Sequence, residues 1–168
     1  TCPSHKQATA LGSYGRVPHA SAFDASSKAI TWTALVWPTL LNGAPMTILS
    51  KGDLSSAGIR LSLDANGITG EVATEAGPCS ATASIKLTKR TWYRAWLSID
   101  PAARAITVGC APLSNSGATE TAVTVTAPGA LKPDSAAELL VAARDGETGK
   151  TAIFEGRIEA PLVFRTAA

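Results

Sequence analysis

The stretch Ile59-Arg60-Leu61-Ser62-Leu63-Asp64, with Asn66-Gly67 close behind it, most constrains what this chain can fold into. Apolar and polar residues alternate with period two. Successive side chains of a β-strand point to opposite faces, so Ile59, Leu61 and Leu63 share one side. Arg60, Ser62 and Asp64 share the other. Asn66 and Gly67 both tolerate positive φ and suit a type I′ hairpin turn. Ile68 to Thr74 then reads as the returning strand.

The same pattern recurs along the chain. Tyr93, Ala95, Leu97 and Ile99 fall on one face of a predicted strand that ends at Asp100. Pro101-Ala102-Ala103-Arg104 is a short connection. Ala105 to Cys110 returns, with Ile106 and Val108 inward. Ile30 to Trp37 is β-branched and aromatic on both faces, which predicts a central strand. Weaker strand signals cover Thr47–Lys51, Ala81–Leu87, Thr119–Val125 and Leu139–Ala143. Phe154, Gly156 and Ile158 alternate with Glu155, Arg157 and Glu159, and Leu162–Phe164 reads as an edge. Ser135 to Ala143 has some helical propensity, but a strand from about Leu139, after a turn at Pro133-Asp134, fits better. Short strands at regular spacing, with 14 Gly and 10 Pro as punctuation, predict an all-β antiparallel sandwich or barrel. With 168 residues, a single domain is expected, led by a polar segment over residues 1–12 and filling residues 13–168.

Charge excludes some partners. The net charge is +2 and the basic residues are scattered, so no basic stripe for nucleic acid is present. Apolar runs are far too short for a helical membrane span. The three cysteines, Cys2, Cys79 and Cys110, form no zinc spacing. Free thiols and a cytoplasmic protein are the default expectation, with a Cys79–Cys110 bridge as the alternative in a secreted one. The chain opens at Thr1, which fits processing or a piece of a longer polypeptide.

Four stretches in order carry a resemblance. They are Ile30-Thr31-Trp32-Thr33-Ala34-Leu35-Val36-Trp37-Pro38, Thr47-Ile48-Leu49-Ser50-Lys51-Gly52, Trp92 to Asp100, and Phe154-Glu155-Gly156-Arg157-Ile158-Glu159. Together they resemble the laminin-G-like branch of the concanavalin A-like superfamily. That resemblance implies a two-sheet antiparallel jelly-roll sandwich. More narrowly, Leu35 to Leu40, Ile48 to Lys51 and Phe154 to Pro161 resemble the lectin-like domain of the N,N-dimethylformamidase large subunit. This implies a non-catalytic accessory domain of an amidohydrolase, with other domains and a small subunit as partners. The family's iron, held by tyrosines and a glutamate, would sit elsewhere in the parent assembly. Tyr14 and Tyr93 match no such motif, so no cofactor is expected in this chain. The alternative is an independent carbohydrate- or protein-binding module.

Candidate chemistry is sparse. His5 and His19 stand apart from any nucleophile pattern and read as loop histidines. Glu155 and Glu159 could serve as the paired carboxylates of a sandwich glycoside hydrolase, but flanking Arg157 they read more simply as an exposed charge ladder. Calcium needs several oxygen ligands. Asp24, Asp53 and Asp145 are the loop candidates, the last within Asp145-Gly146-Glu147-Thr148-Gly149. Trp37 and Trp92, near strand ends, are the candidate sugar platforms; Trp32 and Trp96 are assigned to the sheets. No catalytic residue is predicted.

Overall fold

The structure is a computed structural model and describes residues 13–25, 28–113, 119–146 and 149–165. Its strands are β1 (Gly15–Val17), β2 (Ile30–Pro38), β3 (Met46–Asp53), β4 (Ala57–Asp64), β5 (Gly67–Val72), β6 (Cys79–Ser84), β7 (Tyr93–Asp100), β8 (Ala105–Pro112), β9 (Thr121–Thr126), β10 (Leu139–Val141), β11 (Arg144–Gly146), β12 (Gly149–Thr151) and β13 (Gly156–Phe164). A 3₁₀ turn spans Ser21–Phe23. One sheet has six strands in the order β1-β10-β3-β4-β5-β6. The other has five, in the order β13-β2-β7-β8-β9. β11 and β12 form a separate hairpin, and all the strand pairings are antiparallel.

The period-two pattern sets the layers. Ile59, Leu61 and Leu63 on β4 are buried, as are Tyr93, Ala95, Leu97 and Ile99 on β7. Ile106, Val108 and Cys110 on β8 join them, with Trp32, Ala34 and Val36 from β2. These inner faces form one continuous core between the sheets. Burying each such side chain contributes roughly 1.5–3 kcal/mol. β2 does lie inside its sheet, between β13 and β7. Among the described residues, Trp32 Nε1 is buried without an acceptor.

Several expectations are revised. The β4–β5 turn consists of Ala65-Asn66, because Gly67 already pairs with Asp64. The Asp64 carboxylate accepts the Asn66 N–H at 2.7 Å and fixes the turn. Positive φ falls on Gly67 alone, at 145°, where a Cβ would meet the Ala83 carbonyl oxygen at 2.2 Å. The two closing segments are one strand, β13, whose register shifts between Glu159 and Leu162. Glu155 lies just before that strand, and its carbonyl accepts the Thr39 N–H. β6 starts earlier than expected, at Cys79, and the run from Leu139 breaks after Val141. The short strands β1, β11 and β12 were not predicted.

Cys79 and Cys110 are both buried free thiols, so no Cys79–Cys110 bridge is formed. Burial pushes the Cys110 thiol up to about 12, which keeps it neutral and unreactive at ordinary pH. Cys2, His5 and the rest of residues 1–12 lie outside the described residues, as do Glu147 and Thr148.

One core position is charged. Lys51 pairs with Ile59 as Leu49 pairs with Leu61, so it points inward with the apolar set. Its side chain is fully buried. The ammonium donates to Asp24 Oδ1 at 3.1 Å and to the Ser135 carbonyl. Around this pair, the Ala25 N–H donates to Asp134 Oδ1 at 2.5 Å. Arg165 Nη1 donates to the Asp24 carbonyl at 2.9 Å. A cation with no partner in the interior is costly. Asp24→Ala is therefore expected to destabilise the domain by about 3–5 kcal/mol. Urea unfolding reads the loss, and the double variant Asp24→Ala/Lys51→Met should recover most of it.

Candidate ligand groove

The outer face of the five-stranded sheet is a lattice set by strand register. Thr33 on β2 stands opposite Trp96 on β7 and Leu162 on β13. Trp96 in turn faces Gly109 on β8, and Gly109 faces Ala122 on β9. Thr31, Ser98, Thr107 and Thr124 make the neighbouring row. This face carries a groove of about 600 Å³. Arg94, Trp96, Glu120, Leu162 and Phe164 line it together with Thr31, Thr33 and Thr107.

Trp96 is its floor. The indole lies on the backbone of Gly109, where an added Cβ would stand 2.0 Å from Trp96 Cζ2. Only glycine leaves room for it. The Arg94 guanidinium sits over the ring, 5.1 Å from its centroid, an attractive cation–π geometry. Arg94 is held in turn by Glu120 at 3.2 Å. Both partners are about half exposed, so the pair adds little stability and stays open to other hydrogen bonds. Leu162 and Phe164 form the apolar wall, 48% and 47% exposed. These large apolar side chains lie open beside a groove with a few convergent polar groups. Thr107 and Thr124 share a hydrogen bond at 2.8 Å, and Thr33 donates to the Ala95 carbonyl at 2.9 Å.

The predicted platforms lie beside this groove. Trp37 is on the same outer face, two residues beyond Leu35. Its ring is tilted 36° against Trp92, with centroids 6.4 Å apart. Arg157 covers it at 5.2 Å. Arg157 therefore stacks on a ring rather than serving the predicted ladder with Glu155 and Glu159. Trp96, assigned from sequence only to the sheet, is the tryptophan that the groove uses. Its position has the opposite parity to Tyr93, Ala95, Leu97 and Ile99, and that parity was the available signal.

The three aspartates do not converge as ligands. Asp24 holds the buried Lys51, with His19 Nε2 at 3.9 Å. Asp53 accepts the backbone N–H and the hydroxyl of Ser55, which hold its carboxyl below the usual range. Asp145 pairs with Lys150. Among the described residues, no group of three or more His, Cys, Asp or Glu is placed to hold a metal ion. No helix among them is long and apolar enough to cross a membrane.

No family model matches the sequence, and neither does any curated protein. Solved structures do match by fold. The LG1–3 region of the laminin α2 chain superposes with a TM-score of 0.64 at 13% identity, over 92% of this chain and 30% of that one. The CBM40 domain of the Ruminococcus gnavus IT-sialidase, bound to α2,3-sialyllactose, gives 0.64 at 13% identity, over 94% and 91% of the two chains. The binding domain of botulinum neurotoxin DC, in complex with SialylT, gives 0.52 at 10% identity, over 87% and 34%. The fold is thus the concanavalin A-like, laminin-G-like jelly-roll sandwich. The narrower likeness to the N,N-dimethylformamidase domain finds no counterpart among these structures.

If Gly109 exists to seat the indole, Gly109→Ala should displace Trp96 and cost about 1–3 kcal/mol through overpacking. A changed near-ultraviolet circular dichroism spectrum and a lower unfolding midpoint would both report it. An unchanged spectrum would contradict this role.

Proposed function

We propose that this chain is a carbohydrate-binding module, with the groove over Trp96 as its sugar site. The observation that carries the reading is the groove's composition. The almost covered indole forms the floor, and an exposed phenylalanine and leucine supply apolar area for the carbon faces of a sugar ring. Threonine hydroxyls and the Arg94–Glu120 pair supply donors and acceptors for its hydroxyl groups. A polar ligand of that kind gains only where each buried polar group finds a partner, and the groove offers both kinds.

The neighbours support the reading. Two structures with this fold hold sialylated sugars. The accessory role in an amidohydrolase, with iron in the parent assembly, has no comparable support, and the glycan reading is preferred to it.

A glycan array probed with the chain, followed by calorimetry on the best ligand, tests the proposal. Binding in the micromolar to millimolar range is expected. Phe164→Ala and Arg94→Ala should each weaken it about tenfold, the equivalent of roughly 1.4 kcal/mol. A flat response across the array would remove the proposal. Binding that neither substitution alters would remove the groove from it.

A further inference from the structure

The outer face of the six-stranded sheet carries a different constellation. Arg60 on β4 stands directly opposite Glu71 on β5. Its Nε and Nη2 donate to the Glu71 carboxylate at 2.6 and 2.9 Å, a bidentate pair. The β11–β12 hairpin brings Arg144 to the same place. Arg60 and Arg144 together line two adjoining grooves, of about 380 and 220 Å³.

Arg144 is partly buried, yet among the described residues it meets no acceptor. Among the described residues, the nearby carboxylates are committed elsewhere. Glu71 takes Arg60, Asp145 takes Lys150, Asp53 takes Ser55, and Asp64 takes the Asn66 turn. Its guanidinium is only partly covered and no nitrogen of it is buried without a partner, so it keeps access to water and is open to an acceptor that a ligand brings. Burial, then the charge of Arg60, holds the Arg144 guanidinium below its usual range, with Glu71 offsetting part of this. It nevertheless remains a cation at any physiological pH.

We propose that Arg144, with Arg60 beside it, forms a second binding site, for the carboxylate of an acidic sugar. The guanidinium fork matches a carboxylate bidentately. Ser62 and Thr69 also line the smaller groove, with their hydroxyls held by the Thr69 carbonyl and by Thr82. The choice of a sugar as the carrier rests on the glycan reading above; the choice of a carboxylate rests on the two arginines.

Calorimetry on the full chain separates the outcomes. The probes are 3′-sialyllactose, a glucuronate-ended disaccharide, lactose and inorganic sulfate. The acidic sugars should bind at least tenfold tighter than lactose, and Arg144→Gln should reduce them to the level of lactose. Arg144→Lys, which keeps the charge but loses the fork, should restore only part of the gain. Thermal melts check that both variants fold. An acidic preference that survives Arg144→Gln overturns the site. Sulfate binding as tight as the acidic sugars overturns the assignment to a carboxylate. Neutral oligosaccharides that bind, with no Arg144-dependent gain for acidic ones, overturn this inference and leave the first groove standing. No binding of any sugar removes both.

Discussion

Alternate side chains of each strand belong to a shared interior, and this parity governs everything else in the molecule. Leu61 cannot face inward unless Arg60 and Ser62 face out. Leu97 cannot face inward unless Trp96 and Ser98 face out. A slip of one residue would exchange the two sets and expose the core. The outer face of each sheet is therefore a consequence of the inner one. What the sandwich can bind is written on residues that the core has no use for. Trp96 shows the principle best. It is a large aromatic side chain, placed by parity on the outside of a central strand, and yet almost covered. Gly109 and Arg94 both pack against it. The result is a rigid apolar floor where an open sheet would carry a loose ring.

Lys51 shows the same rule under strain. Its parity points it inward with Leu49, so its ammonium must find partners inside. Asp24 and the Ser135 carbonyl provide them, and in doing so tie two loops to the end of β3. A buried ion pair is a doubtful source of net stability compared with a well-packed apolar pair. Its physical consequence is local order, since neither loop can move away without stranding a charge. The Ser135 loop borders a groove that Asp53 and Asp145 also line.

Much of the fold was legible in the sequence. The strands β4, β7 and β8 follow from alternation alone, because each has one fully apolar side. β2 was legible as an interior strand because it is apolar on both. The sites were harder to read. Strand pairing across long sequence separations decides which outer residues become neighbours, and alternation does not encode pairing. Arg94 and Glu120, or Arg60 and Arg144, meet only through sheet order and a hairpin. The short strands β11 and β12 were missed because Asp145-Gly146 signals a turn as readily as a strand. Trp37 and Trp92 drew attention as aromatics near strand ends; both remain partly exposed, more so than Trp96, with Arg157 over the Trp37 ring. The turn at Asn66 was misplaced by one residue because the Asp64 carboxylate, not a pair of positive-φ residues, organises it.

The groove over Trp96 is the proposed sugar site, and a neutral sugar isolates it from the two arginines of the opposite sheet. Amide chemical-shift mapping of the chain with a neutral oligosaccharide tests it most directly. Perturbations are expected to concentrate on Thr33, Arg94, Trp96, Thr107, Leu162 and Phe164, four strands joined by one groove. Perturbations confined to the opposite sheet or to the loops at the sandwich ends, with these residues unmoved, would contradict it.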